Sequence, residues 1–221
     1  MTVVRPFGEG AFLVELLSSE MAGRMRDTLL HARTTGVVAL VPGRSSLLVE
    51  FDPLVADAER LRQALEETAL EPEPEVKGRM RQIPVVYGGE FGPDLDDVAA
   101  MAGLTPAEVV QAHVATELRV LFCGFAPGFA YLGDVADPLA VPRLPTPRAR
   151  TPAGSVALAD GMSGIYPADL PGGWRLIGRT PVTLFDAHRD PPTYLTPGDR
   201  VRFTPIDAGD WDAHAVGADD W

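Results

Sequence analysis

Pro152-Ala153-Gly154-Ser155-Val156-Ala157-Leu158-Ala159-Asp160-Gly161-Met162-Ser163-Gly164-Ile165-Tyr166-Pro167 is a run of short apolar pieces broken by glycine and proline. The same pattern extends from Gly124 to Ile206, and it is the signature of a β-barrel or sandwich rather than of helices. Within it, Gly161-Met162-Ser163-Gly164 resembles a nucleophile elbow, but the second glycine comes one residue early for Gly-x-Ser-x-Gly. It reads as a tight turn between strands.

Upstream of this region the pattern changes. Arg81 to Tyr87 and Arg119 to Cys123 are strand-like, with two helices between them, near Leu95–Met101 and Pro106–His113. Thr105, Pro106 and Glu108 supply the cap, first-position proline and capping-box acid of the second helix. The first eighty residues alternate strand and helix. Ala11–Leu16 is a strand, and Ser18 or Ser19 caps a helix whose Met21, Met25, Leu29 and Leu30 share a face. Val37–Val41 and Ser46–Phe51 flank a hairpin turn at Pro42-Gly43-Arg44-Ser45. A second helix is expected from about Leu54 to Leu70, stopped by the linker-like Glu71-Pro72-Glu73-Pro74-Glu75. The expectation is an α+β N-terminal domain over residues 1–78, a mainly-β domain over 79–206 and an acidic tail over 207–221.

The 221 residues carry 19 basic and 31 acidic side chains, a net charge of −12. A nucleic-acid partner is not expected, because neutralising phosphates needs a basic surface. No apolar run approaches membrane-spanning length, and the first residues lack the apolar segment of a signal peptide, so a cytoplasmic protein with no membrane partner is the default. Five aspartates between Asp207 and Asp220 have no Lys or Arg among them and read as a solvated, frayed tail. Eighteen of the basic residues are arginine and only Lys77 is lysine. Cys123 is the single cysteine; an internal disulfide is impossible, and its apolar neighbours make it a packing residue.

Familiar catalytic signatures are missing. There is no Gly-x-x-x-x-Gly-Lys-Ser/Thr, and His31, His113, His188 and His214 never stand at metal-ligand spacing, so no metal is expected. With no recognisable nucleophile or phosphate cradle, the chain is expected to be inactive alone. What remains is a concentration of Gly, Pro, Arg and aromatic residues. Gly124-Phe125-Ala126-Pro127-Gly128-Phe129-Ala130-Tyr131 is either a stiff loop packed in the core or a partner surface, with Phe125, Phe129 and Tyr131 as the interface candidates. Arg143 and Arg148, on the stiff Pro142-Arg143-Leu144-Pro145-Thr146-Pro147-Arg148, are placed to offer planar forks to a carboxylate or phosphate. Arg179 in Gly178-Arg179-Thr180-Pro181 repeats the theme, with Asp186 as a potential structural partner.

These residues carry a resemblance. The stretch from Gly124 to Val156, then Gly164-Ile165-Tyr166-Pro167, Pro171-Gly172-Gly173-Trp174, Ile177-Gly178-Arg179-Thr180 and Pro197-Gly198-Asp199, is similar to the family called allophanate hydrolase subunit 1. Ile83-Pro84-Val85-Val86-Tyr87-Gly88-Gly89 and Gly92-Pro93-Asp94-Leu95 extend it over nearly the whole chain. Met162-Ser163 departs from the Gln-Thr frequent in the family, which removes an amide at that point. Members include the B subunit of prokaryotic ATP-dependent 5-oxoprolinase and a bacterial inhibitor of a sporulation histidine kinase. The resemblance implies that the second domain is a cyclophilin-like β-barrel. It also implies a subunit of a complex that opens 5-oxoproline to glutamate with ATP as cofactor. The implied partners are the A subunit of 5-oxoprolinase and a carboxyltransferase-like second subunit, which is the C subunit of 5-oxoprolinase or allophanate hydrolase subunit 2. On that reading Arg143, Arg148, Ser155, Tyr166 and Arg179 bind an anionic substrate. The alternatives are an allophanate hydrolase subunit of urea degradation, for which Lys77 lacks a serine-rich loop, and a kinase inhibitor without chemistry.

Overall fold

The computed structural model describes residues 2–68 and 78–217, and the chain divides into two compact units, Met1–Val76 and Lys77–Trp221. The first contains β1 (Val3–Pro6), β2 (Ala11–Glu15), α1 (Ser19–Ala32), β3 (Val37–Pro42), β4 (Ser46–Phe51) and α2 (Ala58–Glu67). Its four strands form an antiparallel sheet in the order β1-β2-β4-β3. Period-two alternation turns Phe12, Val14, Leu47, Val49 and Phe51 inward, where they meet Met25 and Leu29 of α1 and Leu61 and Leu65 of α2. Ser18 caps α1, its hydroxyl accepting from the Met21 N–H at 3.2 Å. The second helix starts later than its apolar pattern suggests. Asp52 accepts from the Leu54 N–H in a local turn, and Asp57 accepts from the Arg60 N–H as the true cap. Leu54 is therefore 94% exposed instead of lying on the buried face. The expected Glu/Pro linker falls outside the described residues.

The second unit runs through β5 (Met80–Tyr87), α3 (Leu95–Ala102), α4 (Pro106–Ala115), β6 (Leu118–Cys123), β7 (Ala130–Gly133), β8 (Arg148–Thr151), β9 (Ser155–Ala159), β10 (Met162–Ile165), β11 (Leu170–Gly172), β12 (Arg175–Arg179) and β13 (Arg200–Pro205). Seven strands close into a barrel in the order β10-β7-β6-β13-β5-β12-β9, and β8 and β11 form a separate two-stranded ribbon. α4 opens with the full capping box, Thr105 and Glu108 each serving the other's backbone N–H. The turn between β9 and β10 lies at Asp160 and Gly161, both with positive φ (51° and 78°), as a tight hairpin requires. Gly161-Met162-Ser163-Gly164 is thus not the turn itself, since Met162 begins the next strand.

The barrel strands have two differently furnished faces. Inside are mostly branched aliphatics, including Ile83, Val85, Val120, Leu132, Val156, Leu158, Ile165 and Ile177. Outside, small residues on β9 and β10 make room for rings: Ala157 and Ala159 belong to a second cluster with Phe129, Tyr166 and Trp174. A Cβ at Gly164 would come within 3.0 Å of the Trp174 ring and 3.1 Å of Phe129, so glycine lets both rings lie on the sheet.

The region expected to fray is docked as far as residue 217. Ala208–Asp210 and Asp212–His214 are short 3₁₀ turns, and the Thr183 N–H donates to the Val216 carbonyl at 3.0 Å. Trp211 supplies the anchor that the charge pattern hid, its ring 5.3 Å from that of Phe91.

Candidate functional site

Trp174 is the centre of the outer aromatic face. It meets Phe129 edge-on at 5.7 Å and Tyr131 at 5.7 Å, and Phe122 stacks on Tyr131 at 4.3 Å. Arg143 lies over the same indole, its guanidinium carbon 5.9 Å from the ring centroid. Its Nε donates to Asp160 at 2.7 Å, so the β9–β10 turn holds the arginine in place.

Arg148 is tied more deeply. Its Nη2 donates to Asp94 Oδ1 at 2.6 Å, while Asp94 Oδ2 accepts from the Leu176 N–H at 2.7 Å. The Asp94 side chain is 6% exposed and that of Arg148 29%. This pair joins the start of α3, the ribbon strand β8 and the barrel strand β12, and its first role is to hold them together. Tyr166 is also fixed from within. A backbone hydrogen bond from Trp174 holds its oxygen, and a Cβ at Gly172 would stand 2.1 Å from the hydroxyl. Burial raises the Tyr166 pKa despite that bond and the charges of Arg143 and Arg148.

Ser155 and Arg179 face each other in the β9–β12 register, at the opposite end of β9 from Asp160. Ser155 is buried at 2% exposure. Arg179 donates from Nε to the Ala153 carbonyl at 2.7 Å and lies over the Trp211 ring at 5.4 Å. It makes no bridge to Asp186, which instead accepts from the His188 N–H at 2.8 Å. The structure therefore gathers Arg143, Arg148 and Tyr166 around Trp174; Ser155 adjoins this group, its carbonyl accepting from the Tyr166 N–H at 2.9 Å, and Arg179 lies beyond Ser155 across the β9–β12 register. Of the three aromatic interface candidates, Phe129 is core at 2% exposure, whereas Phe125 is 61% exposed. Phe125 also has a φ of +69°, an unfavourable conformation for a bulky side chain.

Inside the barrel a second polar constellation exists that the motifs did not foretell. The Tyr87 hydroxyl lies 2.8 Å from His113 Nδ1, and His113 Nε2 lies 3.1 Å from Ser163 Oγ. A serine beside a histidine suggests nucleophilic catalysis, but Ser163 is 0% and His113 1% exposed. Burial pushes the His113 pKa down to about 3 and that of Tyr87 upward. The ring is neutral, stacked 4.3 Å from Phe203, and satisfied at both nitrogens. It anchors α4 to the barrel. Among the described residues no group of three or more His, Cys, Asp or Glu could hold a metal ion. No helix there is long and apolar enough to cross a membrane.

A closed seven-strand barrel with a ribbon and an arginine-flanked aromatic outer face defines a class. The sequence matches the carboxyltransferase domain, subdomains C and D, over residues 2–195, and the chain belongs to that family. It is 45% identical over 201 residues to the B subunit of 5-oxoprolinase from Escherichia coli O157:H7, with 89% of each chain covered. Among solved structures, TTHA0988 is 36% identical with a TM-score of 0.78 over 93% of this chain. The chain spans 40% of that protein's length. The urea carboxylase of Kluyveromyces lactis, at 22% identity, shares the fold with a TM-score of 0.80, over 97% of this chain and 22% of its own.

Proposed function

We propose that this chain is the B subunit of a cytoplasmic, ATP-dependent 5-oxoprolinase, and that its barrel is of the cyclophilin-like kind. The carrying observation is the 45% identity to a 5-oxoprolinase B subunit over 89% of both chains. In the proposed reaction ATP phosphorylates the lactam carbonyl oxygen, water adds at that carbon, and the ring C–N bond breaks. The nitrogen takes up a proton, phosphate departs, and 5-oxoproline, ATP and two waters become glutamate, ADP and phosphate.

This chain contributes surface rather than a nucleophile, because Ser163 and His113 are enclosed. The reading therefore requires partners, the A subunit together with the carboxyltransferase-like C subunit, with ATP held by the complex. Arg143 would take the substrate's anionic group, Arg148 and Tyr166 would shape its surroundings, and Ser155 and Arg179 would act at the far end of β9. Phe125 is the proposed partner contact. It combines a ring that is 61% exposed, touching Phe129 edge-on at 5.4 Å, with a backbone conformation costing on the order of 1 kcal/mol.

Co-expression with the A and C subunits should give ATP hydrolysis that depends on 5-oxoproline, while the purified single chain gives none. Turnover by the single chain, or silence of the full complex, overturns the reading. Phe125→Gly relieves the backbone strain, so the isolated variant should melt no lower than the parent yet co-purify poorly with its partners. Undiminished co-purification would remove Phe125 from the interface.

A further inference from the structure

On the outer face Tyr131 and Arg143 are held by everything except their reactive ends. The Tyr131 ring is wedged between Phe122, Phe129 and Trp174 at centroid distances of 4.3, 4.9 and 5.7 Å. Arg143 is fixed through Nε to Asp160 and by its approach to Trp174. Among the described residues the Tyr131 hydroxyl and the two terminal amines of Arg143 have no hydrogen-bond partner. An oriented set of unused donors on an immobile aromatic floor is what a ligand site needs.

We infer that Tyr131 and Arg143, standing together on the Trp174 indole, form a clamp for the carboxylate of the lactam substrate. The Arg143 terminal amines donate to the carboxylate oxygens and the Tyr131 hydroxyl donates to one of them. This rests on the 5-oxoprolinase reading and names the part of the substrate that this chain holds.

Charge favours a carboxylate over a phosphoryl group. The Arg143 cation is already balanced by Asp160, and Arg148 by Asp94, so the face offers donors without excess positive charge. That suits a monoanion better than a phosphate with its higher charge. Burial raises the Tyr131 pKa against the opposing pull of Arg143, and the hydroxyl keeps the proton it must donate. In a chain of net charge −12, an anionic substrate also needs a local set of donors.

The test uses the complex reconstituted from all three subunits, with KM for 5-oxoproline and KM for ATP measured separately. Tyr131→Phe keeps the ring and removes only the hydroxyl. It should raise the KM for 5-oxoproline about tenfold, leaving kcat within about twofold and the KM for ATP unchanged. Arg143→Ala should raise the same KM by roughly ten- to a hundredfold, and Arg143→Lys should recover part of the loss. A shift in the KM for ATP instead would place a phosphoryl group in the clamp and overturn the carboxylate assignment. Unchanged constants in both variants overturn it as well. A wild-type complex that hydrolyses no ATP on addition of 5-oxoproline overturns the functional reading first, and this assignment with it.

Discussion

The Tyr87–His113–Ser163 chain and the Trp174–Tyr131–Arg143 face both set polar groups among rings, on opposite sides of the same barrel wall. Inside, both imidazole nitrogens are spent on partners within the molecule, and no solvent reaches the serine. Outside, the rings are packed just as firmly, but the hydroxyl and guanidinium tips are left over. A nucleophile beside a base is therefore the weaker functional signal here. What separates architecture from a binding surface is whether hydrogen-bonding capacity is spent internally or kept for another molecule.

Arg148→Ala leaves the Asp94 carboxylate in its enclosed position with only the Leu176 N–H to satisfy it. Removing one member of a buried pair costs about 3–5 kcal/mol, and the partial exposure of Arg148 reduces this to about 2–3. The melting temperature should fall by roughly 5–10 °C, and a fall of less than about 2 °C would move Arg148 to the functional side.

Ser163→Ala tests the interior serine. It strips His113 Nε2 of its partner and should cost about 1–3 kcal/mol, with the specific activity of the intact complex unchanged; a collapse in activity would restore Ser163 as a nucleophile. The neighbouring histidine adds a pH signature. His113 has a folded pKa near 3 against about 6.5 unfolded, so between these values the unfolded chain binds the extra proton. Stability contributed by the neutral ring is fully present above pH 6.5 and declines as the pH falls toward 3, at up to about 1.4 kcal/mol per unit. His113→Gln should flatten that slope in thermal melts between pH 4 and 7. An equally steep slope would mean that another group titrates.

The smallest effect is expected outside. Arg143→Ala breaks an ion pair whose side chains are 55% and 46% exposed, a loss of at most about 1 kcal/mol. Its melting temperature should stay within a few degrees of the parent even as substrate affinity falls. Equal losses in Arg143→Ala and Arg148→Ala would erase the distinction between the two arginines.

Local features were legible where local rules govern them. The Thr105-Pro106-Glu108 start of α4, the 46–51 strand and the glycine-punctuated β region all follow from capping, alternation and turn chemistry. The 3–6 strand, only four residues long and ending in a proline, carries too little alternation to be read, although its partner β2 follows across a short turn. Phe129 and Phe125, four residues apart in one aromatic loop, are alike in sequence. Only the glycine and alanines beneath Phe129 decide that it is core, and they belong to strands well downstream in the chain. The same holds for Arg143 and Arg148: the second is internal because Asp94, far from it in sequence, comes to lie beside it in the fold. Trp211 shows the opposite error, since the surrounding aspartates disguised an anchor.

One feature of the barrel bears on how the protein is made. β13 lies between β5 and β6, parallel to the first and antiparallel to the second, and the Arg79–Asp199 contact beside it spans 120 residues of chain. During synthesis the ends of β5 and β6 wait for a strand that leaves the ribosome after all other barrel strands. Closure is then a late and non-local event, with a correspondingly slow search. Until it occurs, two apolar strand edges stand open to foreign pairing. Nascent chains halted before residue 200 would be the most aggregation-prone form of this molecule, and the final strand acts as the bolt that makes the barrel a closed surface.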